Sequence, residues 1–216
     1  MKPYYEDDWA TIYHGDCREI LPTLGRVDLV LTDPPYGISL PCNYKSRGRS
    51  VLADCNDYED VIGDDKPFEP LFLLDYGKNC IIWGGNNFAS KLPDCSGWLV
   101  WDKEIPEAFY SATSCELAWT NLGKRVRIFR HLWHGMMRKG KDHREHPTQK
   151  PTELMKWCLC LPVASKAETI LDPFMGSGTT LRAAKDLNRK AIGIEIEEKY
   201  CEIAAKRLAQ EVFNFS

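Results

Sequence analysis

The chain has 216 residues, enough for one sizeable α/β domain and short for two, so we expect a single domain over residues 1–216. With 44% hydrophobic residues, a net charge of −3 and no run of about 18 apolar residues, the composition is typical of a globular protein without a membrane span. The polar, acidic N-terminus lacks the apolar core of a signal peptide, which predicts a cytoplasmic protein. The nine cysteines include no Cys-x-x-Cys pair, which predicts reduced thiols and no metal site.

Apolar runs that end in turn residues predict buried strands, and amphipathic segments between them predict helices. The predicted strands are residues 27–32, 79–83, 97–101, 115–120, 169–171 and 190–196, and the predicted helices are 17–24, 67–76, 152–159, 179–187 and 197–209. Because strands and helices alternate and the strands are apolar on both faces, the sequence predicts an α/β fold with a doubly wound, mostly parallel sheet. Residues 37–66 and 123–145 are polar and fit neither pattern, and we interpret 37–66 as a mobile loop.

The basic residues are unevenly distributed along the chain. Residues 124–150 contain nine of them, opposed only by Asp142 and Glu145, although the whole chain is acidic. A basic surface on an acidic protein is typical of local binding to a polyanion, and the alternative is a solvated loop whose charges maintain solubility. We therefore predict nucleic-acid contacts by Arg125, Arg127, Arg130, Arg138, Lys139 and Lys141.

A glycine-rich turn, DPFMGSGT (172–179), joins a predicted strand to a predicted helix, and Glu195 stands near the end of the next strand. Such a turn lets the backbone approach a ligand, and an acidic residue at that position can accept hydrogen bonds from both hydroxyls of a ribose. Thr179 stands where a triphosphate loop needs lysine, and Leu181 stands where a dinucleotide loop has its third glycine. A nucleoside without phosphates, such as S-adenosylmethionine, fits better; a plain strand–helix junction is the alternative.

The tetrad Asp33-Pro34-Pro35-Tyr36 directly follows a predicted strand, which places it at the carboxyl edge of the sheet. The prolines stiffen the turn and leave carbonyl groups as acceptors. An aspartate and a neighbouring carbonyl can accept both hydrogens of an amino group, and a tyrosine offers a face on which a flipped-out base can stack. The tetrad therefore indicates methylation of an exocyclic amino group, unless it is only a rigid turn with a surface tyrosine.

These motifs together resemble those of the DNA amino-methyltransferases, which methylate N6 of adenine or N4 of cytosine. Residues 33–36 resemble the catalytic motif of that family, 172–179 its cofactor loop, and 193–196 its ribose-binding strand end. Residues 146–151 (HPTQKP) are similar to the segment that closes over the methionine tail, and 15–17 (GDC) to the motif whose aspartate contacts the cofactor adenine. The catalytic motif comes first and the cofactor loop last, as in the permuted β class.

The resemblance implies the Rossmann-like fold of S-adenosylmethionine-dependent methyltransferases, with catalysis by Asp33, Pro34, Pro35 and Tyr36. It implies cofactor binding by Asp16, Cys17, Thr148, Lys150, Asp172, Phe174, Gly176, Ser177, Gly178, Thr179 and Glu195. Residues 123–145 then hold a short target-recognition segment. The expected partner is double-stranded DNA with its target base flipped out, and a homodimer could supply further recognition surface.

The aspartate at position 33 favours adenine N6 methylation, because the family associates Asp-Pro-Pro-Tyr mainly with adenine and Ser-Pro-Pro-Tyr mainly with cytosine. The resemblance also implies a place in a restriction–modification system. N4 methylation of cytosine, the same chemistry on RNA or protein, and a non-catalytic nucleic-acid-binding module remain alternatives. Pro41-Cys42 resembles the nucleophile dipeptide of cytosine-C5 methyltransferases, but a complete amino-methylation motif precedes it, and we expect no catalysis by Cys42.

Overall fold

A nine-stranded mixed sheet organises the part of the chain that the computed structural model describes, which is residues 2–39, 60–105, 113–134, 137–139, 145–146 and 148–210. Its strands are β1 (Tyr5–Glu6), β2 (Ala10–His14), β3 (Val27–Thr32), β4 (Gly77–Trp83), β5 (Trp98–Asp102), β6 (Cys115–Thr120), β7 (Arg127–Arg130), β10 (Thr169–Asp172) and β11 (Lys190–Glu195). The short strands β8 (Trp133–His134) and β9 (Met137–Arg138) pair with each other in a separate antiparallel sheet.

The strand order is β1-β2-β11-β10-β3-β4-β6-β5-β7. Strands β2, β11, β10, β3 and β4 run parallel, whereas β6 is antiparallel to both of its neighbours. From β3 the chain proceeds to β4 on one side, and from β10 it proceeds to β11 on the other, so the winding reverses between β3 and β10. Ligands bind outside the carboxyl ends of the strands at such a switch point.

Helical layers cover both faces of the sheet. Apolar residues of α2 (Thr152–Leu159), α3 (Thr179–Asp186) and α4 (Glu198–Ala209) share a core with Leu29 and Leu31 of β3. Val30 instead packs in a second core with α1 (Cys17–Ile20) and Leu73 of the 3₁₀ turn Leu71–Asp75. Successive residues of a strand point to opposite faces, so β3 is buried on both, as its continuous apolar run predicts.

The predicted fold class is confirmed, and each predicted strand is present with ends that differ by at most two residues. Two helix predictions are wrong in type or extent. The predicted helix 17–24 is α1 followed by a 3₁₀ turn, Leu21–Thr23, because Pro22 cannot donate to an α-helical hydrogen bond. Of the predicted helix 67–76 only the 3₁₀ turn Leu71–Asp75 forms; Pro70 disfavours helical backbone at Glu69, which excludes the first residues of the predicted range.

The polar segment 123–145 contains more regular structure than its sequence pattern predicts, since β7, β8 and β9 all lie within it. Strand β7 pairs in parallel with β5 and forms one edge of the sheet. Residues 40–59 of the predicted loop 37–66, and Cys42 with them, lie outside the described residues, so the mobility of that loop stays a prediction, as does the single domain. None of the helices in the described ranges is both long and apolar enough to cross a membrane.

Candidate active site

The glycine loop and the tetrad meet at the switch point of the sheet. Asp33 follows the last residue of β3, and Asp172 is the last residue of β10, the neighbouring parallel strand. The hydroxyl of Thr32 donates to Asp172 Oδ1 over 2.7 Å and ties the two strand ends together. Two motifs that are far apart in sequence therefore lie side by side at one edge of the sheet.

The Asp33 carboxylate is held by two donors. The Tyr36 hydroxyl donates to Oδ1 over 2.6 Å, and the ammonium group of Lys150 donates to Oδ2 over 2.6 Å. Lys150 Nζ also lies 3.1 Å from the Tyr36 hydroxyl and 2.9 Å from Glu116 Oε2. The Lys150 side chain is only 4% exposed, so its charge depends on these two carboxylates rather than on water.

The pKa values of this cluster follow from burial and from charge pairing. Burial raises the pKa of Asp33 above its usual range, and although Lys150 opposes this effect, Glu116 adds to it. For Lys150, burial would lower the pKa, but Asp33 and Glu116 outweigh it and the pKa is raised. Burial also acts on Glu116, yet Lys150 and Lys103 lower its pKa to about 2. Lys150 and Glu116 are therefore charged at neutral pH.

Two features fix the position of Tyr36. The Asp64 carboxylate accepts hydrogen bonds from the backbone N–H groups of Tyr36 and Gly37, each over 2.9 Å. The Tyr36 ring lies directly against the backbone of Gly84, which follows β4 with a φ of 71°. A Cβ atom at position 84 would overlap that ring, so glycine is required there by the close approach as well as by its backbone conformation.

The glycine loop is built around the Glu195 carboxylate. Gly176 N–H donates to Glu195 Oε2 over 2.9 Å, and Glu197 N–H donates to Oε1 over 2.8 Å. Burial nevertheless raises the pKa of Glu195 to about 7. Gly178 adopts a left-handed φ of 78° and begins α3, and a Cβ there would lie 2.7 Å from the Ala204 Cβ in α4. The loop thus packs closely against α4 while Glu195 remains at its inner side.

Further side chains support the loop from outside. Arg207 of α4 donates to the Ser177 carbonyl over 2.6 Å and lies 3.3 Å from the Thr179 hydroxyl. The Ser177 hydroxyl donates to Gln149 Oε1 over 3.0 Å, which links the loop to the segment before α2. Two further residues that were predicted to bind the cofactor contact nearby side chains. The Thr148 hydroxyl is hydrogen-bonded to the ring of His146, and the Phe174 ring packs edge-on against Phe68 in the second core.

The residues predicted to contact the cofactor adenine lie next to Glu195. Gly15 N–H donates to the Glu195 carbonyl over 2.9 Å, and the pairing of β2 with β11 aligns His14 with Glu195. Asp16 is exposed and caps α1 by accepting from Arg18 N–H over 2.8 Å, whereas Cys17 is buried. Asp16 thus lies exposed at the carboxyl edge of the sheet, near the end of β11.

Lys150 lies with the tetrad rather than with the glycine loop, so its predicted contact with the cofactor stays a prediction that this geometry does not favour. Sequence reasoning missed three residues of the site, namely Asp64, Lys103 and Glu116, and it considered Gly84 only as part of a turn, residues 83–87, that could help to form the wall of the base pocket. The sequence does point to Gly84, because the pair Gly84-Gly85 directly follows a predicted strand. No such signal points to Glu116, because it stands at the beginning of a strand in no recognisable motif.

The basic residues predicted to bind DNA do not all lie on one face, as far as the structure describes their side chains. Arg130 ends β7 at the same sheet edge as the tetrad and pairs with Asp102 over 3.4 Å. Arg127 lies about 10 Å back along the strand and, three residues away, on the opposite face. Arg125 and Lys139 are exposed, whereas the side chains of Arg138 and Lys141 lie outside the described residues.

Comparison with known proteins agrees with this arrangement. Residues 82–206 match the N6_N4_Mtase family, described as DNA methylase, which is more than half of the chain, and the chain belongs to this family. The type II methyltransferase M2.LlaDCHI of Lactococcus lactis subsp. cremoris is 27% identical over 96% of this chain and 92% of its own length. M2.DpnII of Streptococcus pneumoniae is 26% identical over 97% and 93%.

Solved structures share the fold. The M1.HpyAVI–SAM complex superposes with a TM-score of 0.57 at 25% identity and covers 93% of this chain and 100% of that one. The PvuII DNA methyltransferase (cytosine-N4-specific) gives a TM-score of 0.64 at 14% identity over 100% and 91%, which shows the fold alone. The chain is therefore an S-adenosylmethionine-dependent methyltransferase, and the resemblance of its motifs to the DNA amino-methyltransferases is confirmed.

Gly84→Ala should damage the site through the Tyr36 ring. The added Cβ must displace that ring, and alanine disfavours the left-handed backbone, which together should cost about 1 kcal/mol or more and lower the melting temperature by roughly 2–4 °C. Methyl transfer should fall as well. The matched control is Gly25→Ala, where a Cβ meets no atom within 4 Å. Equal melting temperatures and equal activities in the two variants would contradict this account of Gly84.

Proposed function

We propose that this protein transfers the methyl group of S-adenosylmethionine to N6 of adenine in DNA. The observation that carries the proposal is the Asp33 carboxylate, which stands at the switch point beside the glycine loop with both oxygens directed at hydrogen-bond donors. A carboxylate in that position can accept a hydrogen of a target amino group. Its tie to the cofactor loop through Thr32 supports a direct transfer between two neighbouring ligands.

Methylation of an amino group requires hydrogen-bond acceptors for its hydrogens more than it requires a base that removes a proton beforehand. The lone pair of an adenine amino group is delocalised into the ring, so the nitrogen is a weak nucleophile. Hydrogen bonds from that amino group to Asp33 and to the backbone carbonyl of Pro34 would favour a tetrahedral nitrogen whose lone pair is directed at the methyl group. Asp33 then stabilises the positive charge that develops on nitrogen. The Tyr36 ring, fixed against Gly84, offers a stacking surface for a flipped-out base.

The choice of adenine over cytosine is supported by the residue at position 33. The family associates aspartate there mainly with N6 of adenine, and serine mainly with N4 of cytosine. The cytosine-N4-specific PvuII enzyme shares only the fold with this chain at 14% identity, so it does not argue for cytosine. The type II relatives support a role in DNA restriction–modification.

The glycine loop fits S-adenosylmethionine better than a phosphate ligand. Its buried acidic groups are Asp172, whose pKa burial raises to about 6, and Glu195, whose pKa burial raises to about 7. Carboxylates suit the hydroxyls of a ribose and the cationic amino group of a methionine tail, whereas they would repel a triphosphate. When bound, S-adenosylmethionine supplies the methyl group; Glu195, Asp16 and the loop would hold it.

The proposed product is tested by analysing the nucleosides of treated DNA. Protein incubated with S-adenosylmethionine and unmethylated genomic DNA should yield N6-methyladenine, which chromatography with mass spectrometry distinguishes from N4-methylcytosine. Asp33→Ala should lower the rate by at least about a hundredfold, because it removes the charge that stabilises the transition state, while cofactor affinity largely survives. N4-methylcytosine as the product would refute the proposed base, and an active Asp33→Ala variant would refute the role of Asp33.

Cofactor affinity should depend on Glu195 and on pH. The raised pKa of about 7 means that the carboxyl group is neutral at lower pH and loses one acceptor, so affinity should weaken as the pH falls below about 7. Glu195→Gln should weaken binding by about 1.5–3 kcal/mol above that pH and remove the part of the pH dependence that is centred near pH 7, leaving the part at lower pH that comes from Asp172. Calorimetry at a series of pH values provides the measurement. A folded Glu195→Gln variant with unchanged affinity would place the ribose elsewhere.

DNA contacts should centre on the sheet edge that carries Arg130 rather than on the whole basic stretch. Arg130→Ala with Lys139→Ala should weaken DNA binding and flatten the slope of log K against log salt by about 0.9 for each lost phosphate contact. Arg125→Ala, from the opposite end of β7, serves as the matched control and should change the slope less. A larger effect from Arg125 would move the DNA face to the other edge of the sheet.

A further inference from the structure

A largely buried row of alternating charges leads away from Asp33. Asp33 contacts Lys150 over 2.6 Å, Lys150 contacts Glu116 Oε2 over 2.9 Å, and Glu116 Oε1 contacts Lys103 Nζ over 2.7 Å. Two acidic and two basic side chains make the row neutral as a whole. Four separate parts of the chain contribute one charge each: Asp33 and Lys103 directly follow β3 and β5, Glu116 belongs to β6, and Lys150 lies in the segment before α2.

Lys150 competes with a target amino group for the same acceptor. Its ammonium group donates to Asp33 Oδ2, while the Tyr36 hydroxyl donates to Oδ1. An amino group that donates to Asp33 Oδ2 therefore shares that oxygen with Lys150 or takes it over. Lys150 need not leave the site, because Glu116 Oε2 already accepts from it at 2.9 Å.

The charge of Lys150 works against the reaction unless another group offsets it. As the methyl group arrives, the target nitrogen becomes positive, and a cation next to Asp33 would oppose that charge in a region of low dielectric constant. Glu116 is the group that offsets Lys150 without touching the target acceptor. Replacing Glu116 by a neutral residue would leave a surplus positive charge beside the reacting nitrogen.

We propose that Lys150 and Glu116 are positioning residues for methyl transfer: Lys150 orients the Asp33 carboxylate and yields one oxygen to the target amino group, and Glu116 retains and neutralises the displaced lysine. This inference rests on the proposed function only in that the target is an exocyclic amino group. It applies equally if that amino group is N4 of cytosine. An experiment can therefore refute adenine as the target without refuting the role of Lys150 and Glu116, and the reverse.

The proposal makes opposite predictions for the loss of Lys150 and the loss of Glu116. The quantity to compare is the acid limb of the pH–rate profile at saturating S-adenosylmethionine, to which the ionisation of Asp33 contributes. Titratable and charged groups from several elements surround Asp33. Lys150 precedes α2, Glu116 lies near the beginning of β6, and Asp172 ends β10. Tyr36 lies on the same turn with Asp64 beneath its backbone, and Lys103 acts indirectly by pairing with Glu116. Losing the lysine removes a group that lowers the pKa of Asp33, and losing the glutamate removes one that raises it.

The experiment compares Lys150→Met, Glu116→Gln and the double variant, which have shapes similar to the native residues. Lys150→Met should move the acid limb of kcat to higher pH by about one unit, and Glu116→Gln should move it to lower pH. Glu116→Gln should lower kcat by on the order of tenfold, and the double variant, whose remaining charges balance, should be more active than Glu116→Gln alone. S-adenosylmethionine affinity should change little in Glu116→Gln.

The control is Lys156→Met, because Lys156 pairs with Asp186 on α2 and α3, away from the tetrad, and its loss should leave the pH profile unchanged. Two results would overturn the proposal. One is an acid limb that moves in the same direction, or not at all, in both single variants. The other is a double variant no more active than Glu116→Gln, since a merely structural pair would give added losses rather than a partial rescue.

Discussion

The pairing of β3 with β10 is the constraint on which the rest of the site depends. The register places Leu29 against Ile170 and Val30 against Leu171, and the Thr32 hydroxyl closes the carboxyl end by donating to Asp172. Because the winding of the sheet reverses at this pair, the segments that follow the two strands diverge and leave a crevice between them. The Asp-Pro-Pro-Tyr tetrad and the glycine loop border that crevice, although about 140 residues separate them in sequence.

The crevice is rich in buried carboxylates, and the protein stabilises each of them differently. Asp172 and Glu195 are held by hydroxyl and backbone N–H groups, which carry no net charge, and burial still raises their pKa values to about 6 and about 7. Asp33 and Glu116 instead share Lys150. Neutral donors leave a carboxylate ready for a ligand, whereas a lysine must be displaced or compensated before the carboxylate can act. On the proposed function, the two halves of the crevice would therefore differ in how they receive their ligands.

Local sequence patterns predict the parts of this structure that local interactions determine. The strands β3 and β10 are continuous apolar runs followed by turn residues, and the tetrad and glycine loop follow them directly, so their place at one edge was predictable. Strand β7 was not, because its RIFR sequence is half-exposed at a sheet edge and carries charges on either face. The proline-rich approach to Leu71–Asp75 keeps apolar spacing but cannot form an α-helix.

Glu116 shows most clearly what sequence alone could not provide. The rule that ligands meet the carboxyl ends of parallel strands directs attention to residues after strands, but β6 runs antiparallel to β4, so its first residues reach the catalytic edge instead. Position 116 thus enters the site through the direction of a strand, which is a property of the whole sheet. No spacing within the segment could reveal it.

The reversed strand also joins the site to the basic edge of the sheet. Asp102 and Lys103 are consecutive residues at the end of β5: the first pairs with Arg130 of β7, and the second pairs with Glu116 of β6. From the exposed Arg130 inward, oppositely charged side chains therefore follow one another along the carboxyl edge as far as Asp33. The segment between the tetrad and the glycine loop thus contributes both the exposed Arg130 and the largely buried Glu116 that pairs with Lys150. On the proposed function, one short region would shape the electrostatics both of DNA binding and of the Asp33 carboxylate.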